Sequence, residues 1–164
     1  MDKKPFLILG IGNLLRTDDG VGVHVVNRLN DSQELPDWVE AIDLGTCGLD
    51  IPGMIQGRDH VIVIDALEAD EEPGGIFKID ALHLASSKPH AISLHEAGIV
   101  EALKSLEMLG ERPDVEILGV VAQDLSTMGM ELTRAVKAAI PKVMKLVLQS
   151  VKEYQDAKAT VEPQ

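Results

Sequence analysis

Aromatic residues are almost absent from this chain: two Phe, one Trp and one Tyr in 164 residues. An aromatic-rich β-sandwich is therefore excluded, and the core has to come from Val, Ile, Leu, Ala and Met, which favours layered α/β packing. Cysteine is equally scarce. Cys47 alone cannot close an intrachain disulfide or build a zinc knuckle, so packing must supply the stability. Cations are in deficit too, with 15 Lys and Arg against 27 acids and a formal charge of -12. That balance argues against nucleic acid or an anionic membrane as a partner. No apolar run approaches transmembrane length, and the stretch after Met1–Lys4 lacks the longer apolar region and cleavage site of a signal peptide. A cytoplasmic location is expected by default. No apolar stripe is left over once the elements pack, which leans towards a monomer.

The length suits one domain, taken as 1–164. Its organising stretch is Phe6–Gly22, FLILGIGNLLRTDDGVG. Phe6–Leu9 is too short for a buried helix and is closed by Gly10 and Gly12, so it reads as a buried strand entering a tight turn. A dinucleotide fingerprint would need a third glycine where Leu15 stands, and it would not bring Asp18 and Asp19 towards a pyrophosphate. Two adjacent carboxylates repel phosphate and attract a cation, so the loop reads as one that offers acid to a metal.

From there the pattern alternates. Gly20–Leu29 has helical spacing of Val21, Val25, Val26 and Leu29. Trp38–Leu44 predicts a second strand, and Leu49–Gln56 a short helix with Pro52 in its first turn. His60–Leu67 is the plainest strand, with a nearly all-β-branched VIVID that suits a central parallel position covered on both faces. Glu68–Gly75 is an acidic surface loop, Gly75–Ala81 an edge strand, and Leu82–Leu94 an irregular segment. A helix from His95 carries Ile99, Val100, Leu103 and Leu106 on one side. Val115–Ala122 is the last strand. Met130–Tyr154 is a long amphipathic helix that Pro141 should kink or divide, with Gln155–Gln164 as a frayed tail. The whole predicts a twisted, mostly parallel α/β sheet of about five strands with helices on both faces.

In such a sheet the loops at the carboxyl ends of the strands gather along one rim. Asp18 and Asp19 follow the first strand, Asp43 ends the second, Asp65 ends the third, and His95 opens the helix before the fifth. Two carboxylates and an imidazole suit a borderline divalent ion such as zinc or nickel. At a helix start, the local dipole disfavours the imidazolium and keeps a nitrogen lone pair on His95. Each group also has a plain structural role open to it. Asp19 can stabilise the start of the first helix, and His95 can cap or edge the core. An acid ending a buried strand, as Asp65 does, is costly unless paired or functional. Cys47 is a possible nucleophile or, with no histidine near it in sequence, a small buried residue; His24, His60, His83 and His90 read as structural.

Taken in order and spacing, GIGNLLRTDDGVGV, DLGTCGLD, RDHVIVIDA and SLHEAGI resemble the nickel-iron hydrogenase maturation endopeptidases, across Phe6 to about Tyr154. The resemblance implies an enzyme that clips a C-terminal extension from the hydrogenase large-subunit precursor once nickel has been inserted. It also implies that Asp19, Asp65 and His95 are the metal-contacting and catalytic residues. The nickel would be contributed by the precursor, and zinc or cadmium can substitute for it in a crystal. Two positions depart from the family pattern: the first acid is commonly Glu and is the shorter Asp19 here, by about 1.5 Å of reach, and a proline often found after the last strand is Ala122. Hydrolysis would then proceed without a nucleophilic Ser or Cys, with Asp65 or Asp19 activating water and with Asp43 and Thr46 lining the same rim. A phosphoacceptor receiver domain shares the acid pair and the strand-ending aspartate. It requires a lysine after the last strand, where Gln123 and Asp124 stand here.

Overall fold

Apolar residues on both sides of a strand require cover on both sides, and the first strand, β1 (Phe6–Ile11), is buried at every position. In the computed structural model, which describes residues 3–46, 50–86 and 94–161, five strands form one sheet. They are β1, β2 (Val39–Gly45), β3 (His60–Leu67), β4 (Ile76–Asp80) and β5 (Asp114–Val121), in the order β2-β1-β3-β5-β4. All neighbours run parallel except β4, which pairs antiparallel with β5 at the edge. The mostly parallel α/β sheet read from the sequence is the observed fold, with β3 at its centre.

Helices α1 (Val21–Ser32) and α5 (Arg134–Val161) cover one face, with Phe6, Ile8, Ile62, Ile64, Leu118 and Val120 pointing at them. The alternate residues Leu7, Leu9, Val61, Val63, Val115 and Ile117 point the other way. They pack against α2 (Ile51–Ile55), α3 (Ala81–Ser86) and α4 (Leu94–Met108). Val, Ile and Leu supply nearly all of both layers, as the shortage of aromatics requires. Three of the four aromatics collect at the amino-terminal ends of the strands, where the Phe6 ring lies 6.1 Å from Trp38 and 5.3 Å from Tyr154. None of the described helices is long and apolar enough to cross a membrane.

The glycines of the first loop have a packing role rather than a phosphate-binding one. A Cβ on Gly22, in the first turn of α1, would fall 2.1 Å from the Ile64 carbonyl oxygen, and one on Gly10 would fall 2.3 Å from that of Gly22. Only glycines let the start of α1 lie directly on β1 and β3.

Three expectations need correction. Leu82–Leu94 is not wholly irregular, because Ala81–Ser86 forms α3, with fully buried Ala81 seating its first turn against the sheet. The residues 87–93 that follow lie outside the described ones. Pro141 does not divide the last helix, which runs unbroken from Arg134 to Val161; the buried face of Val136, Ile140, Val143, Val147 and Val151 holds both sides of it on the sheet. Nor does the chain fray after Tyr154: Gln155–Val161 is helical, and Lys158 reaches back 2.8 Å to Asp59.

Candidate active site

β3 pairs with β1 only as far as Gly10↔Ile64, whereas its pairing with β5 continues to Leu67↔Val121. Asp65 is the first residue past the point where β1 turns away. β1 connects to β2 on one side while β3 lies on the other, so this is the place where the strand order reverses, and it is there that open α/β sheets form a ligand crevice at the carboxyl edge. An aspartate there has little solvent: Asp65 is 4% exposed.

Its two oxygens are engaged differently. Oδ1 accepts the backbone N–H of Ala66 at 2.9 Å, and Oδ2 lies 3.0 Å from Nδ1 of His95 in the first turn of α4. Burial pushes the Asp65 carboxyl above its ordinary value; the His95 hydrogen bond and charge and the Ala66 N–H oppose that rise, and the nearby negative charge of Asp19 adds to it. With Nδ1–H donated to Asp65, a neutral imidazole carries its lone pair on Nε2. The His95 side chain is 32% exposed, so the pair lies at the surface of the crevice.

Asp19 comes from the short 3-10 turn Thr17–Gly20 between β1 and α1. Its Oδ2 accepts the backbone N–H of Asn13 at 2.9 Å, which closes the loop on itself, and no side chain caps the start of α1. The carboxylate is half-buried and close enough to Asp65 for their charges to interact. Asp65 and His95 are therefore joined at this edge, with Asp19 near Asp65 on the loop after β1. Among the described residues no three His, Cys, Asp or Glu side chains stand close enough together to hold an ion as they are.

The acid pair of the sequence is split. Asp18 is completely buried, and its carboxylate faces away from the crevice chemistry into the loop that follows β5. It accepts the N–H groups of Gln123, Asp124 and Thr133 at 2.8–2.9 Å and the Thr133 hydroxyl at 2.9–3.0 Å. The expectation that both acids face a cation fails for Asp18, because its oxygens are already saturated by donors of the protein. Sequence spacing could not reveal this, since those donors lie 105–115 residues away. Asp124 in turn shapes its own loop. Thr127 and Ser126 donate to its carboxylate and hold its pKa down at about 2.

Asp43 does not reach the central group. It is exposed, and its Oδ1 accepts the Gly45 N–H at 2.9 Å, while the Gly45 carbonyl receives the N–H of Gly12 and props the first loop. Thr46 is exposed at the same end. Cys47 and His90 lie outside the described residues. The receiver-like reading finds no support here: one acid of its pair is consumed inside the protein, and Asp65 is tied to a histidine.

Known proteins give the same answer as the geometry. The family model described as HycI, hydrogenase maturation protease, matches residues 23–150, a span that includes Asp65 and His95. The hydrogenase 2 maturation protease of Escherichia coli is 34% identical over 149 residues, covering 90% of each chain. A putative hydrogenase maturation protease of Methanocaldococcus jannaschii is 34% identical over 157 residues, covering 93% of this chain and all of the relative. Among solved structures, the E. coli hydrogenase maturating endopeptidase HybD superposes with a TM-score of 0.80 at 34% identity over 91% of this chain and 93% of its own. Sequence and overall fold agree with these relatives, and the chain belongs to the hydrogenase maturation proteases, a family of endopeptidases.

Proposed function

We propose that this protease removes a C-terminal extension from a nickel-iron hydrogenase large-subunit precursor after nickel insertion, and that nickel carried by the precursor is its recognition handle. The observation that carries this reading is a buried carboxylate, Asp65, hydrogen-bonded to a half-exposed histidine at the strand-order reversal, with Asp19 on the adjoining loop. Two carboxylates and one imidazole are a donor set suited to a borderline divalent ion. In the free protein these groups are engaged with one another and with the Asn13 N–H, which suits an ion that arrives with the substrate.

Asp65 has the character of a general base. Its raised pKa brings proton affinity closer to that of the working solution, so its ionised form can take a proton from water attacking the scissile carbonyl. Through Nδ1–H, His95 fixes the orientation of that carboxylate, and the proton that Asp65 takes from the attacking water is passed to the departing amine as the C–N bond breaks. Asp19, whose Oδ2 is held by the Asn13 N–H, contributes to recognition rather than to proton transfer.

Incubating purified protein with nickel-loaded and nickel-free precursor tests both halves. Only the nickel-loaded form should lose its extension, and Asp65→Asn and His95→Ala should slow the cut sharply. Equal cleavage of nickel-free precursor would remove the handle from the scheme, and full activity in Asp65→Asn would remove the base.

A further inference from the structure

We infer that Asp18, which is completely buried, is a positioning residue whose carboxylate sets the crevice by tying the Asp19 turn to the loop after β5. The inference rests on the proposed cleavage of a precursor chain in that crevice. Asp18 and Asp19 are consecutive in one turn of four residues, so a fixed Asp18 fixes the backbone from which Asp19 projects. On the far side, Gln123, Asp124 and Thr133 are the two ends of a segment with no regular structure, between β5 and α5. One carboxylate gathers both ends. Oδ2 receives two consecutive N–H groups at 2.9 Å, and Oδ1 receives the Thr133 N–H at 2.8 Å while the Thr133 hydroxyl lies within 3.0 Å of both oxygens.

The same two segments are stitched further out. Thr17 N–H donates to the Gly129 carbonyl at 2.8 Å, Gly129 N–H donates to Leu15 at 2.9 Å, and the Thr17 hydroxyl donates to the Thr127 carbonyl at 2.7 Å. Thr17 accepts a φ of 45° to make these bonds, an unusual conformation for a β-branched residue. The result is a single wall beside Asp19. Its outer edge carries Leu15, Met128 and Met130, which are 52%, 70% and 62% exposed. A wall with three exposed apolar side chains next to the recognition acid is suited to holding an extended substrate chain in place.

The donor count explains why aspartate is required at this position. Three N–H groups and one hydroxyl converge on two oxygens, and the partners given by the structure are all neutral donors. In Asp18→Asn one oxygen becomes an NH₂. Whichever way the amide turns, that group faces either the Gln123 and Asp124 donors or the Thr133 N–H, and one end of the loop is released.

The test compares Asp18→Asn, Thr133→Val and Thr133→Ser with wild type on nickel-loaded precursor, together with amide hydrogen exchange. Asp18→Asn and Thr133→Val should lower kcat/KM by roughly tenfold or more, carried mainly by KM, since a misplaced wall and recognition acid weaken binding. Thr133→Ser, which restores the hydroxyl, should recover most of the loss. In Asp18→Asn the amides of Gln123, Asp124 and Thr133, and also that of Asn13 on the Asp19 carboxylate, should exchange faster, while those of β1 and β3 keep their protection. Wild-type kcat/KM in both impaired variants, or an Asn13 amide as protected as in wild type, overturns the inference. If Asp18→Asn fails to fold, Thr133→Val carries both measurements. Should wild type leave the precursor uncut, the proposed function falls, and the Asn13 amide still decides the role of Asp18.

Discussion

Replacing Gly22 with alanine puts one methyl group where α1 meets the sheet, and the structure fixes what that methyl encounters. Its Cβ would lie 2.1 Å from the Ile64 carbonyl oxygen, 2.6 Å from that of Ile11 and 2.9 Å from the Ile11 nitrogen. All three are backbone atoms of buried strands, so no flexible side chain can swing aside. Normal contact needs about 3.5 Å, so the first turn of α1 must retreat by roughly 1 Å. Val21, Val25, Val26 and Leu29 would be drawn off the sheet with it. Overpacking costs about 1–3 kcal/mol, and a clash that is backbone on every side belongs at the upper end. Alanine returns up to about 1 kcal/mol of helix propensity, leaving a net loss of about 2 kcal/mol. For a chain of this size that is a fall in Tm of about 4–8 °C, or a lower urea midpoint at an unchanged slope. Gly98→Ala in α4 is the internal contrast. Among the described residues its Cβ would meet Ile51 Cδ1 alone, at an ordinary 3.4 Å, so the same substitution should stabilise by about 0.5–1 kcal/mol. Equal effects at the two positions, or an unharmed Gly22→Ala, would refute the packing account of the glycine loop.

Asp65→Asn should cost about 10²–10⁴-fold in the rate of precursor cleavage if Asp65 is the general base, measured by single-turnover cleavage. The same variant should be more stable than wild type at neutral pH. A carboxyl whose folded value is raised favours folding when protonated, so its contribution is lost as pH climbs from the ordinary 3.8 through the raised folded value. The difference in Tm between Asp65→Asn and wild type should therefore shrink towards acid pH, and a constant difference across that window would contradict the assignment. His95→Ala removes the donor that holds Asp65 Oδ2, and should slow cleavage sharply and shift the acid limb of the residual activity upwards, because a partner that favours the ionised form is gone. Truncation after Tyr154 removes Lys158 from Asp59 and should lower Tm by less than Gly22→Ala does, with a loss that fades as salt is raised.

What was legible in the sequence was local periodicity and the chemistry of strand ends. VIVID announces a strand buried on both faces, and β3 occupies His60–Leu67, the residues its pattern marks. Asp65 was conspicuous because an acid directly after four buried apolar residues requires a reason. Other features depended on contacts far apart in the chain. Nothing in the order Asp18–Asp19 tells which of two identical side chains turns inward; the answer lies with Thr133 and the loop after β5. The run GIGN lacks the third glycine of a phosphate loop, and what its glycines do instead, serving the approach of α1 to β1 and β3, shows only in the folded chain. Division of α5 at Pro141 fails for a similar reason, since tertiary packing along α5 keeps the helix continuous through a local helix breaker.

The division of labour between Asp18 and Asp19 connects fold to activity. A parallel sheet brings the ends of β1, β3 and β5 to one edge, but it does not by itself set the distance between the loops that leave them. Here that distance depends on one short turn pressed between two constraints. Gly10, Gly12 and Gly22 seat the turn and the helix behind it on the strands; a Cβ on Gly12 would lie 1.7 Å from the Asp19 carbonyl oxygen. From the other side Asp18 draws in the loop after β5. Asp19 is thus located by backbone contacts on both flanks before its own carboxylate makes any bond. Asp65 and His95 are placed independently, by the central strand and by the first turn of α4. Perturbations of the glycine seat or of the Asp18 tie should therefore alter recognition through Asp19 while leaving the Asp65–His95 pair intact, whereas changes at Asp65 or His95, which serve the donor set and the chemistry together, should lower kcat whatever they do to KM. Under that reasoning the two classes of variant separate on KM and kcat, and a glycine-seat variant that lost kcat at unchanged KM would mean that the two halves of the site are not positioned separately.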